Sequence, residues 1–193
     1  RAAVFSENEY EPSGELVILR DITHEKRMAR NSEALLRIST ALPEYPELDG
    51  LLAYISSEIK GLLGVESSLV ILLDEEKNEF FFKAASTGSA ETERRFKEIR
   101  YPADKGVAGK VVRTGQSIIV PDTSKDPDFH SIVDIQAGYV TRNVLQVPLR
   151  SKDRTIGVLS AMNKKVGSFD QTDRELLNMI AGTVALTIEN ARF

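Results

Sequence analysis

Four side chains able to hold a cation fall within nine residues: Asp122, Asp126, Asp128 and His130. Carboxylate oxygens with one imidazole suit a divalent metal. The run lacks the fixed glycine of a helix-flanked calcium loop, however, and an Asp ahead of Pro127 is a common turn starter. Loop capping is therefore the expected role, and no metal is assigned. A second candidate, Gly106-Val107-Ala108-Gly109-Lys110, has glycines and a lysine in an order that suggests a phosphate cradle. Such a loop needs a further glycine five residues before the second one and Ser or Thr after the lysine. Asp104 and Val111 stand in those places. Gly106 and Gly109 are better explained as the tight entry and close packing of a short helix that stops at Gly115. No Ser-His-Asp set, paired catalytic carboxylates or metal-binding histidine pattern is legible, and two histidines leave little room for general acid and base chemistry. With no cysteine, thiol nucleophiles, disulfides, thiolate metal sites and thioether-linked chromophores are excluded. The chain reads as something other than an enzyme, with no certain cofactor.

The 193 residues suffice for one full domain plus an appendage. A net charge of −4 offers no basic footprint for phosphates, so nucleic acid is not an expected partner. No apolar run approaches the roughly 20 residues of a membrane span, so no membrane contact is expected in this segment and a cytoplasmic setting fits best. Arg1 opens the chain without a signal-peptide pattern, which suggests a fragment of a longer protein.

The elements that must position any site follow from periodicity. Ala3-Val4-Phe5, the turn residues Glu11-Pro12-Ser13-Gly14 and the apolar run to Arg20 predict a hairpin ending at Asp21. From Thr23 to Leu42 no Gly or Pro interrupts, and Met28, Leu35, Ile38 and Leu42 fall at a/d positions of a heptad frame, with Asn31 between. This predicts a two-stranded coiled-coil seam or, alternatively, one amphipathic helix packed on its own domain. Pro43 and Pro46 end that helix. A second amphipathic helix runs from Leu48 to near Gly64, followed by a strand pair over Ser68–Leu73 and Phe80–Ala84. A connection-rich middle third leads to a hairpin of the two most apolar strands, Val144–Leu149 and Thr155–Met162. The last helix begins with Asp170 as N-cap and carries Leu176, Leu177, Ile180, Val184, Leu186 and Ile188. The order predicts an α/β (α+β) fold with a central, mostly antiparallel sheet of five to six strands and long N- and C-terminal helices.

Several linked motifs then carry a resemblance. Lys105-Gly106-Val107-Ala108-Gly109-Lys110, Arg113-Thr114-Gly115, Ile119-Val120-Pro121-Asp122 and Asp126-Pro127-Asp128-Phe129 resemble the core signature of GAF domains. Leu149, Gly157-Val158-Leu159 and the terminal helix are similar to the family's later pattern. Upstream, Gly14 to Thr23 resembles the end of a PAS domain, where Asp21-Ile22-Thr23 hands the last strand to a signalling helix. The resemblance implies three segments: 1–23 from a truncated PAS-like domain, 24–43 a linker helix, and 44–193 a GAF domain. It also implies a bacterial multidomain protein of the sensor histidine kinase or cyclic-dinucleotide type. The expected function is a regulatory module that binds a small, unidentified effector or relays a signal through dimeric helices to a covalently linked output domain. The alternative is a purely structural dimerisation and relay domain with no ligand. The homodimer is expected through Met28, Leu35, Ile38, Leu42 and the C-terminal helix. The effector pocket implied by the resemblance is expected to be lined by Phe82, Ile99, Val111, Ile119, Phe129, His130, Val133 and Asn143. His24-Glu25 is similar to a kinase phosphoacceptor pair, but the proline expected shortly after it is missing, so a solvated helix start is expected. Asn163-Lys164, Phe169 and Asp173 match most of a motif of cyclic-nucleotide-binding GAF domains, with Arg174 in place of its closing Glu. A Lys164–Asp173 salt bridge docking the last helix explains that match without a nucleotide.

Overall fold

The structure, a computed structural model, describes residues 2–8, 11–19 and 22–192, with side chains over 22–191. The chain divides into two compact units, residues 1–34 and 35–193. In the first, β1 (Ala2–Asn8) pairs antiparallel with β2 (Glu11–Leu19). The expected turn at Glu11–Gly14 is instead strand. The register skips between Ser6↔Glu15 and Asn8↔Glu11, so Pro12, Ser13 and Gly14 sit in an irregular stretch of β2. A two-stranded ribbon has an outer edge on each strand, which tolerates the missing N–H of a proline. The end expected at Asp21 lies outside the described residues.

Helix α1 (Thr23–Ala41) stops where expected, in a short 3₁₀ turn over Leu42–Glu44 with proline in its first turn. Of the four side chains expected to form a dimer seam, Ile38 is fully buried within its own protomer and Leu35 is half-buried. Met28 and Leu42 are 57% and 36% exposed. At Ile38, therefore, the helix packs on its own domain.

The second unit is built on one sheet. Its strands are β3 (Val65–Asp74), β4 (Glu79–Ser86), β5 (Arg100–Pro102), β6 (Ile118–Val120), β7 (Val144–Ser151) and β8 (Arg154–Lys164), in the order β5-β4-β3-β8-β7-β6. Every pairing is antiparallel, so the expected α+β fold holds, with six strands. One face is covered by two long helices, α2 (Leu48–Leu63) and α6 (Gln171–Arg192). Leu51, Leu52, Ile55, Ile59 and Leu63 of α2 all face inward, at helical spacing, each contributing about 1.5–3 kcal/mol of apolar burial. Gly64 in the left-handed conformation, φ +66°, ends α2.

The other face is covered by shorter pieces: α3 (Ala90–Glu98), α4 (Gly106–Thr114), α5 (Ser131–Ala137) and their loops. Strand alternation assigns side chains to the two faces. On β7, Val144 and Gln146 face the short helices, whereas Leu145, Val147 and Leu149 are buried on the α2/α6 side. A β-bulge between Val70 and Ile71 shifts the β3–β4 register. After it, Ala85 rather than Ala84 continues the Phe80–Phe82 face.

The centre of the sheet leaves no room at Gly157. A β-carbon there would press on the Ile71 carbonyl oxygen and lie 3.0 Å from Leu72 Cα, both backbone atoms of β3 that cannot swing aside. Gly157→Ala should therefore destabilise the domain by about 3 kcal/mol or more, read as a lowered urea midpoint. An unchanged midpoint would contradict this packing.

Candidate functional site

Short covering helices do not seal the second face of the sheet. A cleft enclosing about 50 Å³ lies between β3, β4, β7 and β8 on one side and α4 and α5 on the other. That is well below the usual range for small-molecule pockets, about 300–1,000 Å³, so only a small group fits without movement of the α4/α5 roof. Its walls are largely aromatic. Phe82 packs on Phe96 at 5.2 Å between ring centroids and on Tyr101 at 6.0 Å, and Tyr101 stacks on His130 at 5.6 Å. Burial pushes the Tyr101 phenol above its ordinary value.

Polar groups enter at three places. Gly106, Val107 and Ala108 of the first turn of α4 line the cleft, and the N-cap Lys105 supplies no side-chain cap. Gly106 has φ +74°, and a β-carbon there would sit 3.1 Å from His130 Cβ, so glycine is required for the helix start and His130 to meet. Asp134 on α5 is half-buried, and its carboxylate accepts hydrogen bonds from Thr141 N at 2.7 Å and Thr141 Oγ1 at 2.9 Å. Desolvation nevertheless holds that carboxyl above the usual aspartate range, the two hydrogen bonds opposing the shift. Gln146 on β7 donates from Nε2 to Ser160 Oγ at 3.3 Å, and its buried Oε1 has no hydrogen-bond partner among the described residues.

Of the residues named for an effector pocket, Phe82, Phe129, His130 and Val133 line this cleft. Ile99 and Val111 are buried in the adjoining core instead, behind the lining. Ile119 and Asn143 line a separate small depression with Pro121, Ser168 and Phe169. Asn143 faces that way because its Oδ1 accepts from Lys164 N at 2.8 Å. Tyr101, Asp134, Thr141 and Gln146 were not expected. Gln146 had a sequence signal, a polar residue with the parity of Val144 inside an apolar strand. Asp134 had none, because only the fold brings α5 over the sheet.

The acidic loop is occupied by local structure. Asp122 caps the 3₁₀ turn Thr123–Lys125 through Ser124 N and Oγ, and those bonds hold its carboxyl below the usual range. Asp126 Oδ1 accepts from Asp128 N at 2.8 Å, and Asp128 pairs with Lys110 at 3.4 Å.

The Asn163-Lys164 pair ties the unit together. Asn163 is fully buried at φ +63°. Its Oδ1 accepts from Arg142 N at 2.7 Å, while Nδ2 donates to Tyr139 Oη and Val140 O, both at 2.9 Å. Lys164 Nζ reaches the Leu63 carbonyl at the end of α2 and Asp173 Oδ1 at 3.0 Å. Asp170 and Asp173 reciprocally cap the start of α6, through Asp173 N to Asp170 Oδ1 at 2.9 Å and Asp170 N to Asp173 Oδ2 at 3.1 Å. The expected salt bridge is present and largely sheltered, with side chains 16% and 6% exposed.

Residues 46–189 match the GAF domain family, and the chain belongs to it. GAF domains are regulatory ligand-binding or signalling modules. A probable 3',5'-cyclic phosphodiesterase of Caenorhabditis elegans is 24% identical over 151 residues, 75% of this chain but 21% of that protein's length. The GAF domain of a phosphoenolpyruvate-protein phosphotransferase from Coxiella burnetii superposes with a TM-score of 0.75 at 16% identity, covering 85% of this chain and 95% of that one. Free methionine-R-sulfoxide reductase from Neisseria meningitidis, solved with its substrate, gives 0.69 at 24% identity, over 91% of this chain and 95% of that one. At these identities the two structures share the fold. Among the described residues no helix is long and apolar enough to cross a membrane.

Lys164→Met should cost about 3 kcal/mol or more by stranding the buried Asp173 carboxylate, measured by chemical denaturation. Asp134 has a raised folded-state pKa. The native chain therefore holds its proton to higher pH than the unfolded chain, and this group's stabilising contribution is lost as pH rises from the ordinary aspartate value through the raised one. Asp134→Asn should remove that downward slope from a stability-against-pH curve. An identical slope in both proteins would refute the assignment.

Proposed function

We propose that this chain is a sensor module in which a small effector, held in the cleft between the sheet and α4/α5, biases the helices that lead to a linked output domain. The observation that carries this is the cleft itself: a small space with aromatic walls, lined also by Gln146, whose buried Oε1 accepts no hydrogen bond among the described residues. A buried acceptor left unpaired costs about 1–3 kcal/mol, which a ligand donor would recover. The effector need only prefer one of two arrangements of α1 and α6 to shift their populations. The context that fits is a cytoplasmic, multidomain bacterial signalling protein with a PAS-like segment upstream. Neither nucleic acid nor membrane has a supporting feature here, and the absence of cysteine argues against thiol-based catalysis in this copy of the fold.

A second reading, dimerisation and relay without a ligand, is favoured by α6. Met179 and Leu186 are 40% and 62% exposed on the face opposite the buried Ile180, Val184 and Ile188, with Gly182 between them. That spacing, three and then four residues, is a heptad seam onto which a second copy could pack.

Two measurements separate the readings. Thermal shift with a panel of small metabolites should reveal a stabilising ligand for wild type that Ala108→Trp, which fills the cleft, no longer responds to. A ligand at 100 times its Kd adds about 2.7 kcal/mol. Sedimentation should show a wild-type dimer and a Leu186→Glu monomer. A dimer with no binder across the panel would leave the relay reading standing and sink the sensor, and an unchanged mass in Leu186→Glu would sink the α6 seam.

A further inference from the structure

The polar lining of the cleft has one sign. Among the described residues that line it, none is Lys or Arg, and Asp134 is the sole carboxylate. No lysine or arginine pairs with Asp134 among the described residues, and its bonded partners, Thr141 N and Oγ1, are neutral donors. Each carboxylate oxygen accepts one bond there and keeps a lone pair. The buried Gln146 Oε1 is a second acceptor, without a donor among the described residues. Asp134 and Gln146 thus line the same cleft as Phe82, Tyr101 and Phe129, and aromatic faces attract cations. The start of α4 has the opposite polarity, but a helix terminus amounts to roughly half an elementary charge, against a full charge on Asp134.

Resting on the ligand-sensor reading, we infer that the effector of this cleft is a small aromatic cation, an amine or amidine whose N–H groups face Asp134 and Gln146 while its ring lies against the aromatic wall. Anionic ligands, including phosphate-bearing ones, are disfavoured by the same carboxylate. This chain would then differ in ligand charge class from any cyclic-nucleotide sensor sharing its fold.

Benzamidinium, benzamide and benzoate test this directly, being nearly the same shape with charges of plus one, zero and minus one, with cyclic GMP as a fourth probe. Calorimetry and thermal shift are run for all probes in one mildly alkaline buffer. Wild type should bind benzamidinium at least about tenfold more tightly than benzoate, a difference of about 1.4 kcal/mol. Asp134→Asn should shrink that preference to within about threefold. Gln146→Leu, which leaves the carboxylate in place, should weaken benzamidinium and benzamide alike, and Ala108→Trp should abolish both. Benzoate or cyclic GMP binding as tightly as benzamidinium, and blocked by Ala108→Trp, would overturn the cation inference while leaving the sensor reading intact. Binding of none of the four would overturn the inference, and with an unresponsive metabolite panel the sensor reading as well.

Discussion

Asn163 occupies a position that two faces of the domain depend on. It is buried at the end of the central strand β8 with a positive φ, a conformation costly for any residue with a β-carbon. The cost is offset because its amide bonds at once to Arg142 N, Val140 O and Tyr139 Oη, holding the 139–143 segment against the sheet. Thr141 of that segment in turn binds the Asp134 carboxylate and so ties down α5, one wall of the cleft. The next residue, Lys164, leaves the same strand end toward the other face and joins the end of α2 to the start of α6. Bonds and chain neighbours thus link the cleft wall, through Thr141, Asn163 and Lys164, to the start of α6.

The asymmetry of the two faces explains where a cleft can exist. Long helices α2 and α6 present continuous apolar stripes, and their side of the sheet is packed closed, with Ile55, Ile59, Leu145, Val147, Leu159 and Ile180 fully buried. The other side is roofed by helices of seven to nine residues joined by loops. The gap left between them is small, about 50 Å³, and Phe82, Phe96, Tyr101 and Phe129 are among its lining. The first turn of α4 must reach into that roof, which is why Gly106 adopts a conformation only glycine takes easily.

How two long helices and a cleft work together depends on their sharing strands. β7 places Gln146 in the cleft and Leu145 and Val147 under the α2/α6 layer, so neighbouring residues of one strand sense both. Packed layers respond to a small shift by rearranging between discrete states rather than deforming smoothly, which suits a domain of this kind to regulation.

Much of this was legible in the sequence. Periodicity placed the helices and the paired strands, Asp170 marked the start of α6, and Gly64 the end of α2, because local backbone and capping preferences act over a few residues. The linked glycine and aspartate motifs identified the family, and the Lys164–Asp173 pair could be anticipated from its spacing across one strand end and one helix start. Phe82, Phe129, His130 and Val133 were recognisable as cleft residues, but Ile99, Val111, Ile119 and Asn143 were not separable from them by composition. Only tertiary structure decided which hydrophobic side chain is wall and which is core, since a β-bulge and the parity of each strand set the face. It alone set Asp134 opposite the sheet, left Gln146 Oε1 without a partner among the described residues, and buried Ile38 in its own domain, because each depends on contacts between segments far apart in the chain.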